Sequence, residues 1–291
     1  MRRETPSLTP GYAPGHTIHR ASPPEGPILF ASPHSGHEYP DTMQRDLCVP
    51  LIDIRRTEDA FIDELFGEVP ALGATLITAR YGRGFVDLNR DARELDPAMF
   101  SNGAPRTSGA PTARVEAGLG CLPRISAHGD QVYKRRLSKA EGERRLVDVH
   151  DAYHGTLQAE LNALREAHGE AVLIDCHSMP SSQPGRRILP DIVLGDRFGS
   201  SCDTRLTALA ERTLRSMGYS VARNAPYAGG YTTRRYGRPR RGVHALQIEI
   251  NRSLYMDEVR LRQHAGFETL KTDITALCRA LLDYSARAVA A

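Results

Sequence analysis

The sequence predicts an α/β fold: a mixed, mostly parallel twisted sheet with helices on both faces. Three observations predict it. Short apolar runs of strand length alternate with longer stretches in which apolar residues recur at helical spacing. Two of those runs, 27–31 and 171–174, lead into phrases that hold a histidine among small turn residues: Ser32-Pro33-His34-Ser35-Gly36 and Asp175-Cys176-His177-Ser178-Met179-Pro180. A chain of 291 residues with 40% hydrophobic and 25% charged content has the core of an ordinary enzyme domain.

Taken in order, residues 1–27 are rich in Pro, Gly and polar groups and read as an irregular arm that straps onto the domain. Strands are expected at 28–31, 74–78, 85–88, 172–175, 192–195 and 245–250, each an apolar run bounded by turn residues. A helix over 57–66 is expected from Thr57 as N-cap, early acids and helical apolar spacing. A long amphipathic helix over 138–168 starts at Ser138 and ends before Gly169, and a third over 204–217 is closed by Gly218. Residues 259–291 supply a final helix. Two stretches lack periodicity, 97–111 and 181–190; the first is long enough to suggest a functional lid. With no repeat, no GxGxxG fingerprint and no composition break, residues 28–291 read as one domain.

Composition narrows the class. A net charge of +3 is too small to argue for nucleic acid, and no apolar run approaches the roughly 20 residues that span a bilayer. The first residues lack the apolar core of a secretory signal. Five cysteines with no CxxC pair argue against a disulfide framework or a cysteine-rich zinc site, and fit a reducing cytoplasm. Cys176 alternates with Asp175 and His177, so it is expected to point into the core rather than to act as a nucleophile.

Matched strand-end histidines could converge on one metal. A catalytic zinc takes about three His, Asp or Glu ligands and leaves a position for water. His34 and His177 are the leading nitrogen ligands. The third could be Asp59 or Glu58, whose position at a helix start is also explained by the helix dipole, or His37, three residues after His34. Glu249 stands near the end of an otherwise apolar strand, where a carboxylate is costly without a partner. It suits a general base beside bound water, or an ion pair with Arg252. Asn89 and Arg90 lie in Asp87-Leu88-Asn89-Arg90-Asp91, and Arg90 suits a carboxylate or a polarised carbonyl. The loop from Tyr227 through Gly229 and Gly230 runs into Arg234 and Arg235; arginines of this loop, 234–241, or Arg252, are expected to hold the substrate carboxylates. Because it leads straight into the Glu249 strand, a small anionic substrate fits it better than nucleic acid. His150 and His154 share a helical face but lack the HExxH pattern; His154 could still face the substrate.

The phrases His34-Ser35-Gly36, Thr57-Glu58-Asp59, Asp87-Leu88-Asn89-Arg90, Asp175-Cys176-His177-Ser178-Met179-Pro180, Tyr227-Ala228-Gly229-Gly230 and Gln247-Ile248-Glu249-Ile250-Asn251-Arg252 occur in that order. Together they resemble the N-formylglutamate amidohydrolase family, over residues 28–255. The resemblance implies a zinc-carboxypeptidase-like (phosphorylase/hydrolase-like) fold with an eight-stranded sheet. It also implies a single Zn2+ or another divalent transition metal, and hydrolysis of a linear amide C–N bond in a small anionic N-acyl amino acid. His34 and His177 become metal ligands, Glu249 the base, and Arg90 a substrate or oxyanion contact. Carboxypeptidase-like enzymes read His-x-x-Glu at the first motif, where this chain has His34-Ser35-Gly36-His37, so a carboxylate ligand must come from Asp59 or Glu58, or be replaced by His37. Deacylation of other N-acyl amino acids or small peptides on the same site, and non-catalytic anion binding, are the competing readings.

Overall fold

The computed structural model describes residues 11–21, 26–106, 111–182 and 189–289. Seven strands form its central sheet: β1 (His16–His19), β2 (Ile28–Ser32), β3 (Thr75–Ala79), β4 (Ala171–Met179), β5 (Ile192–Gly195), β6 (Val221–Arg223) and β7 (Val243–Asn251). Their order is β1-β3-β2-β4-β7-β5-β6. The central four, β3-β2-β4-β7, are parallel; β1 pairs antiparallel with β3, and β5 antiparallel with β7. The eight strands that the family resemblance implied are seven in this sheet, among the described residues.

Strand residues alternate between two apolar layers, which is why the central strands read as continuous apolar runs. Val172, Ile174 and Cys176 of β4 join Ile28, Phe30, Leu246 and Ile248 on one face. Helices Thr204–Ser216 and Gly266–Val289 cover that face through Leu206, Ala210, Leu214, Ile274 and Leu277. Leu173 joins Leu29, Ala31 and Ala245 on the other face, under Tyr153, Leu157 and Leu161 of helix Ala152–His168. Cys176 is a buried core thiol, as the alternation required, and burial pushes its pKa well up.

Four expectations need correction. Thr57 does not open a helix: its hydroxyl donates to the Ile54 carbonyl (2.7 Å), closing helix Leu51–Arg55. The next helix begins only at Ile62, after Phe61 takes a positive φ of 67°. Glu58 and Asp59 therefore sit in a turn, and the Asp59 amide donates to the His34 carbonyl (3.0 Å). Residues 85–88 are buried but unpaired as a strand; the Phe85 amide turns back to the Gly82 carbonyl (2.8 Å), and the Asp87 amide donates to the Cys121 carbonyl (2.8 Å). Within the arm, His16–His19 forms an edge strand whose half-exposed pattern carries little apolar signal. Residues 1–10 and 22–25 of that arm lie outside the described residues.

The last helix starts at Gly266 rather than 259, because a small hairpin of β8 (Met256–Asp257) and β9 (Arg262–Gln263) precedes it; residues 290–291 lie outside the described residues. The long helix begins with Ser138 accepting from the Glu141 amide (3.1 Å) and ends at Gly169, φ 80°. A π-helical turn, Leu146–Asp151, interrupts it. The aperiodic stretch 97–111 opens as a 3-10 turn, Pro97–Met99, with Met99 and Phe100 buried; residues 107–110 lie outside the described set, as do 183–188 of the second stretch. No helix among the described residues is long and apolar enough to cross a membrane.

Candidate active site

The carboxyl ends of β2, β4 and β7 meet at one end of a cavity of about 560 Å3, the place where a parallel sheet leaves a ligand crevice. His34 follows β2 by two residues. His177 lies within β4, two residues after Asp175 and on the same face, and pairs in register with Glu249 of β7. Asp59 arrives from the turn after helix Leu51–Arg55, pinned to the His34 backbone as described.

Three buried groups converge. Asp59 Oδ2 is 2.9 Å from His177 Nδ1 and 3.4 Å from His34 Nδ1, and one ligand atom from each residue lies within 4.8 Å of the others. The outer ring nitrogens are engaged from behind: His34 Nε2 meets Asp87 Oδ1 at 2.7 Å, and His177 Nε2 lies 3.1 Å from Asp175 Oδ1 and 3.2 Å from the Asn89 amide. His34 Nδ1 is buried with no hydrogen-bond partner among the described residues. Such an orphaned nitrogen is expensive unless something accepts its lone pair. Two imidazoles backed by carboxylates and facing a shared carboxylate form the donor set of a metal site with its supporting contacts. The cluster could hold a metal ion.

Charge is distributed unevenly around it. Burial pushes the Asp59 pKa up, but the hydrogen bond from His177 and the close approach of both histidines outweigh burial and hold it well below the usual range. Arg252 Nη2 supports its other oxygen at 3.0 Å. Asp87 is held low despite burial, through Arg83 (2.8 Å), His34 and Arg90. Glu249 behaves oppositely. Burial raises its pKa, His177 only partly offsets this, and Asp59 and Asp175 push it further up. Its Oε1 accepts from Gln247 Nε2 at 2.7 Å, which fixes the carboxylate at the cavity wall.

The remaining expected residues divide. Asn89 and Arg90 line the cavity, as do Gly229, Gly230 and Arg252. Asn89 Oδ1 is held by the Thr232 amide and hydroxyl (2.8 and 3.0 Å), while its amide reaches His177. A Cβ at Gly230 would overlap the Asn89 side chain, so glycine is required there for close approach. Arg252, expected to hold a substrate carboxylate or to pair with Glu249, is instead committed to Asp59 and to Ser178 Oγ (both 3.0 Å), making it a support for the cluster.

The other candidates are placed elsewhere. Glu58 turns away, accepting from Tyr39 Oη (2.8 Å) and Arg55 Nε (3.3 Å). His37 is exposed. Arg234 and Arg235, on helix Tyr231–Tyr236, lie over the Tyr231 ring at 5.8 and 5.7 Å and do not line the cavity. His154 is buried behind the wall, bonded to Tyr236 Oη and to the Leu88 carbonyl, each at 2.9 Å. His150 Nε2 donates to the Arg90 carbonyl at 2.9 Å. The two histidines thus brace the backbone on either side of Asn89.

Sequence reasoning missed three cavity arginines, Arg56, Arg83 and Arg114. Among 38 Lys and Arg residues, only spatial neighbours distinguish them.

The chain is similar to known proteins in sequence and in fold. The N-formylglutamate amidohydrolase family model matches residues 26–256. The N-formylglutamate deformylase of Pseudomonas putida is 35% identical over 242 residues, covering 80% of this chain and 82% of that protein. Its Pseudomonas aeruginosa namesake is 34% identical over 239 residues, covering 80% and 83%. The crystal structure of N-formylglutamate amidohydrolase from Ralstonia eutropha JMP134 superposes with a TM-score of 0.89 at 34% identity, over 95% of this chain and 100% of that one. A more distant Agrobacterium tumefaciens gene product, 19% identical with a TM-score of 0.60 over 94% and 96% of the two chains, shares the fold. By family model, by sequence relatives and by fold, the chain belongs to the N-formylglutamate amidohydrolase family.

Proposed function

We propose that this protein is a zinc-dependent, cytoplasmic amidohydrolase that releases formate from N-formyl-L-glutamate or a similar N-acyl acidic amino acid. The observation that carries the reading is the convergence of His34, Asp59 and His177 beside Glu249 in an arginine-lined cavity. Family membership supports the substrate class.

His34 Nδ1, His177 Nδ1 and Asp59 would hold the ion. Zinc held there would supply Lewis-acid chemistry, polarising an acyl carbonyl and lowering the pKa of water to near 7. Glu249, oriented by Gln247, would in its carboxylate form take the proton of the attacking water and pass it to the leaving amine nitrogen as the C–N bond breaks. Arg90 supplies positive charge where substrate oxygens gather, and Asn89 holds the wall beside His177. Asp87 and Asp175 keep the two rings turned inward, and Arg252 and Arg83 place positive charge beside Asp59, at 3.0 and 3.9 Å. Formate and the free amino acid leave.

Elemental analysis should give about one zinc per chain. Dialysis against a strong chelator should abolish formate release from N-formylglutamate, and added zinc should restore it. Full activity in metal-free protein would overturn the metal requirement.

A further inference from the structure

The cavity holds more arginine than its own acids neutralise. Arg56 pairs with Asp53 (2.5 Å), Arg83 with Asp87 (2.8 Å), and Arg252 with Asp59 (3.0 Å). Arg90 reaches only the edge of an ion pair, 4.0 Å from Asp87, whose oxygens are already taken by His34 and Arg83. Its other contacts are neutral carbonyls of Asn89 (2.9 Å) and Leu119 (3.3 Å). Arg114 makes no ion pair and no side-chain hydrogen bond among the described residues, yet it lines the same cavity.

The local chain explains why Arg114 stands there. Thr112 caps the short helix Ala113–Glu116, accepting from the Val115 amide and donating to Glu94 Oε1 (both 3.3 Å). Val115 is buried and anchors the segment. Gly118 then reverses the chain with φ 79°, and the Leu119 amide returns to the Arg114 carbonyl (2.8 Å). The Leu119 carbonyl meets Arg90 Nε. One tight turn therefore joins the two guanidinium-bearing residues and sets them close enough to repel each other. Folding gains nothing from two like charges sharing a wall, whereas a bound anion between them would relieve the repulsion.

We propose that Arg114 is the specificity residue for the side-chain carboxylate of the substrate, with Arg90 facing the α-carboxylate. The assignment rests on the amidohydrolase reading and names how that site selects an acidic amino acid. Its geometric basis is order along the wall. Arg90 lies 4.0 Å from Asp87, which also holds His34, whereas Arg114 lines the same cavity from an exposed position. In an N-formyl acidic amino acid the α-carboxylate adjoins the reacting amide and the side-chain carboxylate lies farther out, matching that order.

The test compares N-formylglutamate with N-formylglutamine, its uncharged near-isostere, in the zinc-loaded enzyme. R114Q should lower kcat/KM for N-formylglutamate about 10- to 100-fold, chiefly through KM, and leave N-formylglutamine within about twofold. R114K should recover part of the loss, because it keeps the charge without the fork. Equal losses on both substrates, or no loss on either, would overturn the role of Arg114 while leaving the amidohydrolase reading intact. Wild-type protein that releases formate from neither substrate would overturn that reading itself, and the assignment with it.

Discussion

Replacing Glu249 by Gln should lower kcat by about 10^2- to 10^4-fold, leave bound zinc at the wild-type level, and change KM little. Glutamine keeps the shape and can still accept from Gln247, so the cavity wall stays in place. What disappears is a group able to take a proton from water and return it to the amine. The acid limb of the pH profile carries a second signature. A base works only when ionised, so kcat/KM in the wild type falls as the pH drops through the Glu249 pKa; in E249Q that limb should be gone. Stability should move the other way from activity. Burial and the neighbouring Asp59 and Asp175 oppose ionisation of Glu249, so a neutral amide removes an unfavourable charge from the metal-free protein. Thermal melting of apo E249Q should be no lower than that of the apo wild type. Near-normal turnover in this variant would assign the proton transfer to another residue.

How much of this was legible follows from what burial does to sequence. Strands β2, β4 and β7 are buried on both faces, so they are written as apolar runs, and a polar residue at their ends is conspicuous. His34, His177 and Glu249 stood out for that reason. Strands β1 and β6 are four and three residues long, and β1 alternates with solvent. Residues 85–88 erred in the opposite sense: Phe85, Val86 and Leu88 are as buried as any strand, but they fill a core from a turn that no periodicity announces. The cavity arginines were hidden differently. The densest basic run, 234–241, drew attention by composition, yet Arg234 and Arg235 stack on Tyr231. Arg114 is made significant by a turn at Gly118 and by forming no ion pair among the described residues. Neither property belongs to a residue type or a spacing.

Asp59→Asn should abolish zinc binding at stoichiometric metal and with it formate release, while Glu58→Gln should retain both. The two acids are adjacent and chemically alike, and either could have completed the pair of histidines. Backbone geometry separates them. Because Thr57 closes the preceding helix, Asp59 is drawn to the His34 carbonyl and its carboxylate enters the cluster, while Glu58 points back to Tyr39 and Arg55. Losing the Asp59 charge does double damage. It removes an anionic donor shared by two rings, and it leaves the buried Arg252 guanidinium without its carboxylate. Breaking one side of a buried ion pair costs about 3–5 kcal/mol, so apo D59N should also melt well below the apo wild type. Glu58→Gln exchanges one acceptor for another on Tyr39 and should cost about 1 kcal/mol. Metal content measured on both purified variants decides the ligand independently of catalysis. Zinc retained in D59N and lost in E58Q would transfer the role to Glu58, and would require the turn after Thr57 to open when metal binds.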